Sequence, residues 1–277
     1  MSEIRDTKLE HQIIAMDNAL AKQSKSMDVE YQRMFYIALA HIRQDQEENY
    51  VVIDKKDMFD LLNMHDKDRH SRMRRMWQKL IHMTDYSFGN DMEYASGFLI
   101  YRVEAKRSCY HVFFEKTYMP LLTHLSKNFM LMLRDDAIVF KSKFSSILYQ
   151  QFMRLHAFGS RGVEFSTREL KQRFGMKDDD YVVNGNFQRK VFERKSVDVA
   201  VKEINELSKC INDLRYEKVK NNRGQVLFYK FYFTWKDPRD QKILPEKAQS
   251  DQMNIYDYAE VASEFSEDIR NYDPFRF

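Results

Sequence analysis

Between residues 28 and 44 the chain spaces Tyr31, Met34, Phe35, Ala38, Leu39 and Ile42 three and four apart, which lines one face of an α-helix. The run YVVI (50 to 53) is β-branched and aromatic and reads as a short strand. In DKKDMFDLL (54 to 62) Asp54 stands three residues before Asp57, an approximate capping box that opens a second helix. The segment DRHSRMRRMWQKLIHM (68 to 83) predicts a third, with Met73, Met76, Trp77, Leu80 and Ile81 on one face and Arg69, Arg72, Arg75 and Lys79 on the other. GFLIYRVE and CYHVFFE, on either side of the turn-like AKRS, read as a hairpin.

The same order returns about 112 residues later. KFSSILYQQFMRLHAF (143 to 158) is amphipathic at helical period, and GVEF is a short strand. STRELKQRFG (166 to 175) opens on a true capping box, Ser166 with Glu169, and stops at Gly175. In NFQRKVFERKSVDVAVKEIN (186 to 205) and just beyond, Val197, Ala200, Val201, Ile204 and Leu207 predict the buried face of another helix. LRYEKVK and QVLFYKFYF then flank NNRG, a good hairpin turn. Two copies of one supersecondary unit are implied. Helix, strand, capped helix, helix and hairpin make the winged variant of helix-turn-helix, whose third helix enters the major groove while the hairpin, or wing, follows the backbone. The expected fold class is therefore α+β, two tandem winged-helix domains with β-hairpin wings. Residues 1–27 read as an N-terminal arm or helix, 28–125 as the first winged domain with DNA contact and dimerisation, 126–236 as the main DNA-reading domain, and 237–277 as an acidic tail. Residues 119–142, with LLTHLSKNFMLML read as helical, form the joint.

Composition sharpens this picture through charge. The net charge of +3 hides an asymmetry: residues 141–236 hold 20 Lys+Arg against 11 Asp+Glu, residues 1–140 hold 20 against 21, and residues 237–277 hold 5 against 10. A polyanion is expected to bind mainly in the third quarter of the chain. The two cysteines, Cys109 and Cys210, lie far apart and fit neither a disulfide framework nor a zinc spacing. No apolar run approaches a membrane span, and the start MSEIRDTKLEHQ is too charged for a signal peptide. A soluble protein of the cytoplasm, without membrane contact, is expected.

The basic residues sit where a winged helix would use them. Arg189, Lys190, Arg194 and Lys195 cluster at the N-terminal end of the third helix of the second copy, with Lys202 farther along. Arginine forks suit guanine O6 and N7, and lysines suit phosphate. The second wing offers Lys218, Lys220, Asn222 and Arg223 for phosphate or minor-groove contacts. In the first copy Arg69, Arg72, Arg74 and Arg75 are the candidates, in a half that is nearly neutral. A basic run on a helix is most often only its solvated face; its place in the helix-turn-helix order and the local charge excess favour DNA. The aromatic row VLFYKFYF is assigned to core packing, and Asp178, Asp179 and Asp180 to a loop or cap. The eight His are dispersed, and no phosphate-binding glycine loop is present. No cofactor, metal or enzymatic activity is expected.

With FERKSVDVAVKEIN (192 to 205), KSKFSSILYQQF (141 to 152), STRELKQRFG and VFFEKTYMPLL (112 to 122) in view, the chain resembles the replication initiator (Rep) proteins of theta-replicating, iteron-containing bacterial plasmids over roughly residues 28 to 236. The resemblance implies two winged domains that contact a directly repeated double-stranded site as a monomer. It also implies a dimer, formed chiefly through the N-terminal domain, that represses its own gene at an inverted-repeat operator. It further implies opening of an adjacent AT-rich segment and recruitment of host replication proteins such as helicase or the chromosomal initiator, in a bacterial cytoplasm. Arg194 and Lys195 fall on the matching recognition-helix positions. Glu193, Ser196 and Val199 depart from the family pattern. A tandem winged-helix transcription regulator without replication activity has the same DNA contacts and stays open as an alternative. A Tyr-dependent rolling-circle nickase needs a His-apolar-His metal site that the sequence lacks.

Overall fold

The computed structural model describes residues 13–17, 27–43, 46–89, 94–123, 129–156 and 160–236. Strand β1 (Ile13–Asp17) is followed by helix α1 (Val29–Ala40), which carries the apolar spacing seen in the sequence and buries Met34, Phe35, Ala38 and Leu39. β2 (Tyr50–Asp54) alternates exposed and buried positions and runs into α2 (Lys55–Leu61). The Asp54 carboxylate caps that helix by accepting from the amides of Lys56 and Asp57. α3 (Arg69–Met83) turns Met73, Met76, Trp77 and Leu80 into the core. β3 (Asp85–Gly89) pairs with β4 (Tyr94–Phe98), and β5 (Ile100–Ala105) with β6 (Cys109–Phe114). The three-stranded antiparallel sheet has the order β2-β6-β5.

After a single 3-10 turn, α4 (Pro120–Thr123) leads toward β7 (Phe129–Leu133) and α5 (Arg134–Val139). α6 (Lys143–His156) begins the second copy and β8 (Gly162–Ser166) follows. Ser166 and Glu169 close a reciprocal capping box at α7 (Thr167–Arg173). Ser166→Ala is expected to cost about 0.5–2 kcal/mol of stability, read from the urea midpoint. A short pair, β9 (Val182–Val183) with β10 (Asn186–Phe187), precedes helix α8 (Arg189–Phe192), a π-helical turn (Glu193–Val197) and helix α9 (Asp198–Leu207). β11 (Ile211–Lys220) and β12 (Val226–Trp235) form the wing, in a sheet of order β11-β12-β8. The two sheets correspond strand for strand, so the repeat in the sequence is a repeat in space. Tyr229, Phe231 and Phe233 of the aromatic row are buried, with Phe152 packed on the rings of Phe231 and Phe233.

Three expectations are corrected. Residues 13–17, within the segment read as an N-terminal arm or helix, are a strand and not helical, and β1 pairs antiparallel with β7, Ala15 opposite Leu131. That pairing also makes Phe129–Leu133 a strand where LLTHLSKNFMLML was expected to be helical. A distant strand supplies hydrogen bonds that override local helix propensity. Finally, residues 186–205 are not one helix. Asn184 and Gly185, at φ 51 and 75, turn the chain so that Asn186 and Phe187 join a two-residue ladder before the helix starts. The acidic tail, 237–277, lies outside the described residues.

The joint is fastened on both sides. Arg33 of α1 donates to the carbonyls of Phe140 (2.7 Å) and Val139 (3.3 Å) at the end of α5. Asp136 of α5, buried, accepts from the Ser208 hydroxyl (2.7 Å) and from the amides of Lys209 and Cys210, just past α9.

Candidate nucleic-acid interface

The buried positions of the third helix of the second copy step by four: Phe192, Ser196, Ala200 and Ile204, all fully enclosed. Four residues exceed an α-turn by about 0.4 residue, so three steps drift by about 1.2 residues. The π-helical turn at Glu193–Val197 takes up close to that excess and keeps all four on one face. Inside it the Ser196 hydroxyl donates to the Phe192 carbonyl at 2.6 Å, the acceptor that a regular α-helix would offer to the Ser196 amide. On the outside, Lys190, Arg194, Asp198 and Lys202 also step by four, flanked by Lys195 and Val199, and all six are exposed. The result is an external stripe dominated by cations.

Not every cation proposed from sequence belongs to it. Lys190, Arg194 and Lys195 are exposed, and Lys202 is exposed with Glu206 at 3.8 Å. Arg189 is half-buried, its guanidinium 5.6 Å from the centre of the Phe187 ring. Lys218, expected on phosphate, reaches back to the buried Glu193 carboxylate at 3.0 Å. The tip of the wing keeps Lys220, Asn222 and Arg223 exposed. Asn221 builds that tip, its Oδ1 accepting from the amides of Arg223 and Gln225, and Gly224 takes φ 74.

In the first copy the arginines of α3 divide. Arg74 and Arg75 are exposed. Arg72 pairs with Glu30 at 2.8 Å, and Arg69 lies over the Phe59 ring at 4.9 Å. Half of this cluster is therefore spent on its own domain.

The repeat also brings out residues that the sequence reading did not single out. Asp54 and Ser166 are equivalent caps, so Lys56 and Arg168, each two residues on, occupy the same exposed place at the start of α2 and α7. Arg107 in the first wing turn corresponds in the same way to Arg223 in the second, and it too is exposed. Val199, noted in the sequence only as a departure from the family pattern, is 39% exposed between Lys195 and Lys202 on the outer stripe. Aligning the two copies by their caps and turns would have found the first three.

The remaining chemistry is structural. Lys171 is buried and donates to the carbonyls of Asp178 (2.6 Å) and Asp180 (2.8 Å), which pins the acidic loop. Burial pushes the thiol of Cys210 well above the ordinary range. Among the described residues no group of three His, Cys, Asp or Glu is placed to hold a metal ion, and no helix is long and apolar enough to cross a membrane.

Residues 13–153 match the family model "Initiator Replication protein, WH1", and residues 166–235 match "Initiator Rep protein, WH2". Among solved structures the chain is similar to the "Crystal structure of Pi initiator protein in complex with iteron DNA", at 18% identity and a TM-score of 0.64, over 82% of this chain and 99% of that one. No curated protein matches the chain.

Proposed function

We propose that this chain, which belongs to the initiator replication protein family by its match to both winged-helix models, initiates replication by reading directly repeated double-stranded DNA with its two winged helices. The observation that carries the reading is the outer stripe of the composite helix, where Lys190, Arg194, Lys195 and Lys202 face solvent beside a wing tip that bears Lys220 and Arg223. The solved relative, by its title, was crystallised with iteron DNA, and its fold is the one found here.

In this reading Arg194 and Lys195 meet base edges in the major groove, and Val199 offers an apolar contact to a thymine methyl. Lys190 and Lys202 flank them on phosphate. Lys220, Asn222 and Arg223 hold the backbone beside the groove, and Arg168 contacts phosphate from the start of the preceding helix. Arg74, Arg75, Lys56 and Arg107 make the corresponding, weaker set in the first domain. Copies bound side by side on direct repeats would bend the duplex and load strain on an adjacent AT-rich segment, so that host helicase or the host chromosomal initiator can act there. Self-association through the first domain, with binding to an inverted repeat, would turn the same surfaces to repression of the gene. The protein breaks no bond in this scheme and acts in a bacterial cytoplasm.

The test is selection of bound duplexes from random DNA, then affinity for the winner and a scrambled control across a salt series. A site of about two turns of duplex, bound at least ~10³ tighter than control, supports two domains on one repeat. Weak, sequence-blind binding would withdraw the reading. Arg194→Ala is expected to weaken cognate binding by about 1–3 kcal/mol and to relax preference at one base position. Lys220→Ala should lower affinity for every duplex alike and reduce the salt slope by about 0.9.

A further inference from the structure

Three side-chain links join the reading helix to wing strand β11. Near the helix start, Glu193 accepts from Lys218 Nζ at 3.0 Å and from the Tyr229 hydroxyl at 3.0 Å. One turn on, Asp198 accepts from the Tyr216 hydroxyl at 2.7 Å. Near the end, the Asn205 amide both donates to the Leu214 carbonyl (2.7 Å) and accepts from the Leu214 amide (2.8 Å). As the helix advances from 193 to 198 to 205, the strand partners retreat from 218 to 216 to 214. The links thus span about 18 Å of helix and about 14 Å of strand.

The first link is the costly one. The Glu193 side chain is only 8% exposed, and a buried carboxylate is tolerated only when charge and hydrogen bonds compensate it. Its inward aim leaves the next two residues, Arg194 and Lys195, on the outside. Lys218 is drawn off the DNA-facing tip to neutralise it.

We propose that Glu193 is a positioning residue for DNA reading: with Lys218 it locks the wing to the reading helix, so that base-reading and phosphate-holding side chains present themselves as one rigid surface. The proposal rests on the DNA-binding function above. It differs from the sequence expectation in making Lys218, 37% exposed, a strut to Glu193 rather than a phosphate contact.

Glu193→Gln removes one negative charge, raising the net charge by one, and Lys218→Gln removes one positive charge, lowering it by one. A locking role makes both lower the ratio of cognate to scrambled affinity, by about tenfold each, with part of the loss regained in the double variant. If the residues act only through charge, Glu193→Gln tightens and Lys218→Gln weakens both duplexes alike while the ratio holds, and the proposal is overturned. Thermal unfolding checks that the variants fold. Should they not, Tyr216→Phe removes only the second link, and about a threefold fall in the ratio is expected; a constant ratio there also overturns it. A wild type that itself fails to discriminate would defeat the proposed function instead. The lock would then be decided by hydrogen exchange of β11, faster in the variants if it exists and unchanged if it does not.

Discussion

Phe192→Ala is expected to destabilise the protein by about 3–5 kcal/mol, the range for removing a buried phenyl ring from a packed core. Phe192 is fully buried and its ring stands 5.6 to 6.5 Å from those of Phe174, Tyr181, Phe187 and Tyr229. These rings come from the residue just past α7, the loop after it, β10 and wing strand β12, so one side chain ties the start of the composite helix to four neighbouring segments. Against a typical total stability of about 5–15 kcal/mol, the loss should lower the urea midpoint steeply and abolish cognate DNA binding at moderate temperature. Val199→Ala, at an exposed site on the same helix, should leave the midpoint nearly unchanged. A Phe192→Ala loss below about 1 kcal/mol would show that the aromatic cluster is not the core of this domain.

Asp136→Ala is expected to cost at least about 3 kcal/mol. The carboxylate accepts from one hydroxyl and two backbone amides, hydrogen bonds to a charged group are worth about 1.5–3 kcal/mol each, and buried donors left without an acceptor carry a further penalty. Because α5 is also held to α1 through Arg33, the variant should loosen the joint between the winged domains as well as the end of the reading helix. Hydrogen exchange at residues 208 to 211 reads the local part and affinity for the full repeat the rest. Burial, partly offset by the donors from Ser208, Lys209 and Cys210, raises the Asp136 pKa above its ordinary value. The unfolded chain ionises near about 3.9, so between that pH and the raised folded value the native state binds more protons and stability falls as pH rises. Asp136→Asn should remove this contribution to the slope of stability against pH in that window. An identical slope in both proteins would show that the carboxyl titrates alike in the folded and unfolded states.

Much of the architecture was legible because it is written in local signals. The amphipathic spacing of α1, α3 and α6, the caps Asp54 and Ser166, and the turn residues of both wings each act within a few residues of themselves. Their recurrence in one order was enough to place two winged helices and to locate the positive excess on the second. Two of the failures lie where a partner is far away in the chain. β1 and β7 became strands because each completes the other's ladder across more than a hundred residues, and no window of sequence contains that hydrogen bond. The β3–β4 pair was passed over because only β3, DYSFG, alternates polar and aromatic residues, while YASGF of β4 does not.

The candidate interface divides along the same line. Residue type and helical position singled out Arg194, Lys195, Lys220 and Arg223 as candidates for DNA contact, and all four are exposed. They could be read because exposure at those places follows from the helix period and the turn. Arg189, Lys218, Arg69 and Arg72 carry the same charge in the same motif but are engaged by Phe187, Glu193, Phe59 and Glu30. The sequence by itself determined the two-copy winged fold and the basic stretch at the third helix of the second copy, since periodicity, capping and charge are properties of neighbouring residues. Tertiary structure alone decided that Lys218 and Arg72 are engaged within the protein, because a carboxylate from another element, Glu193 or Glu30, comes within ion-pair distance of each.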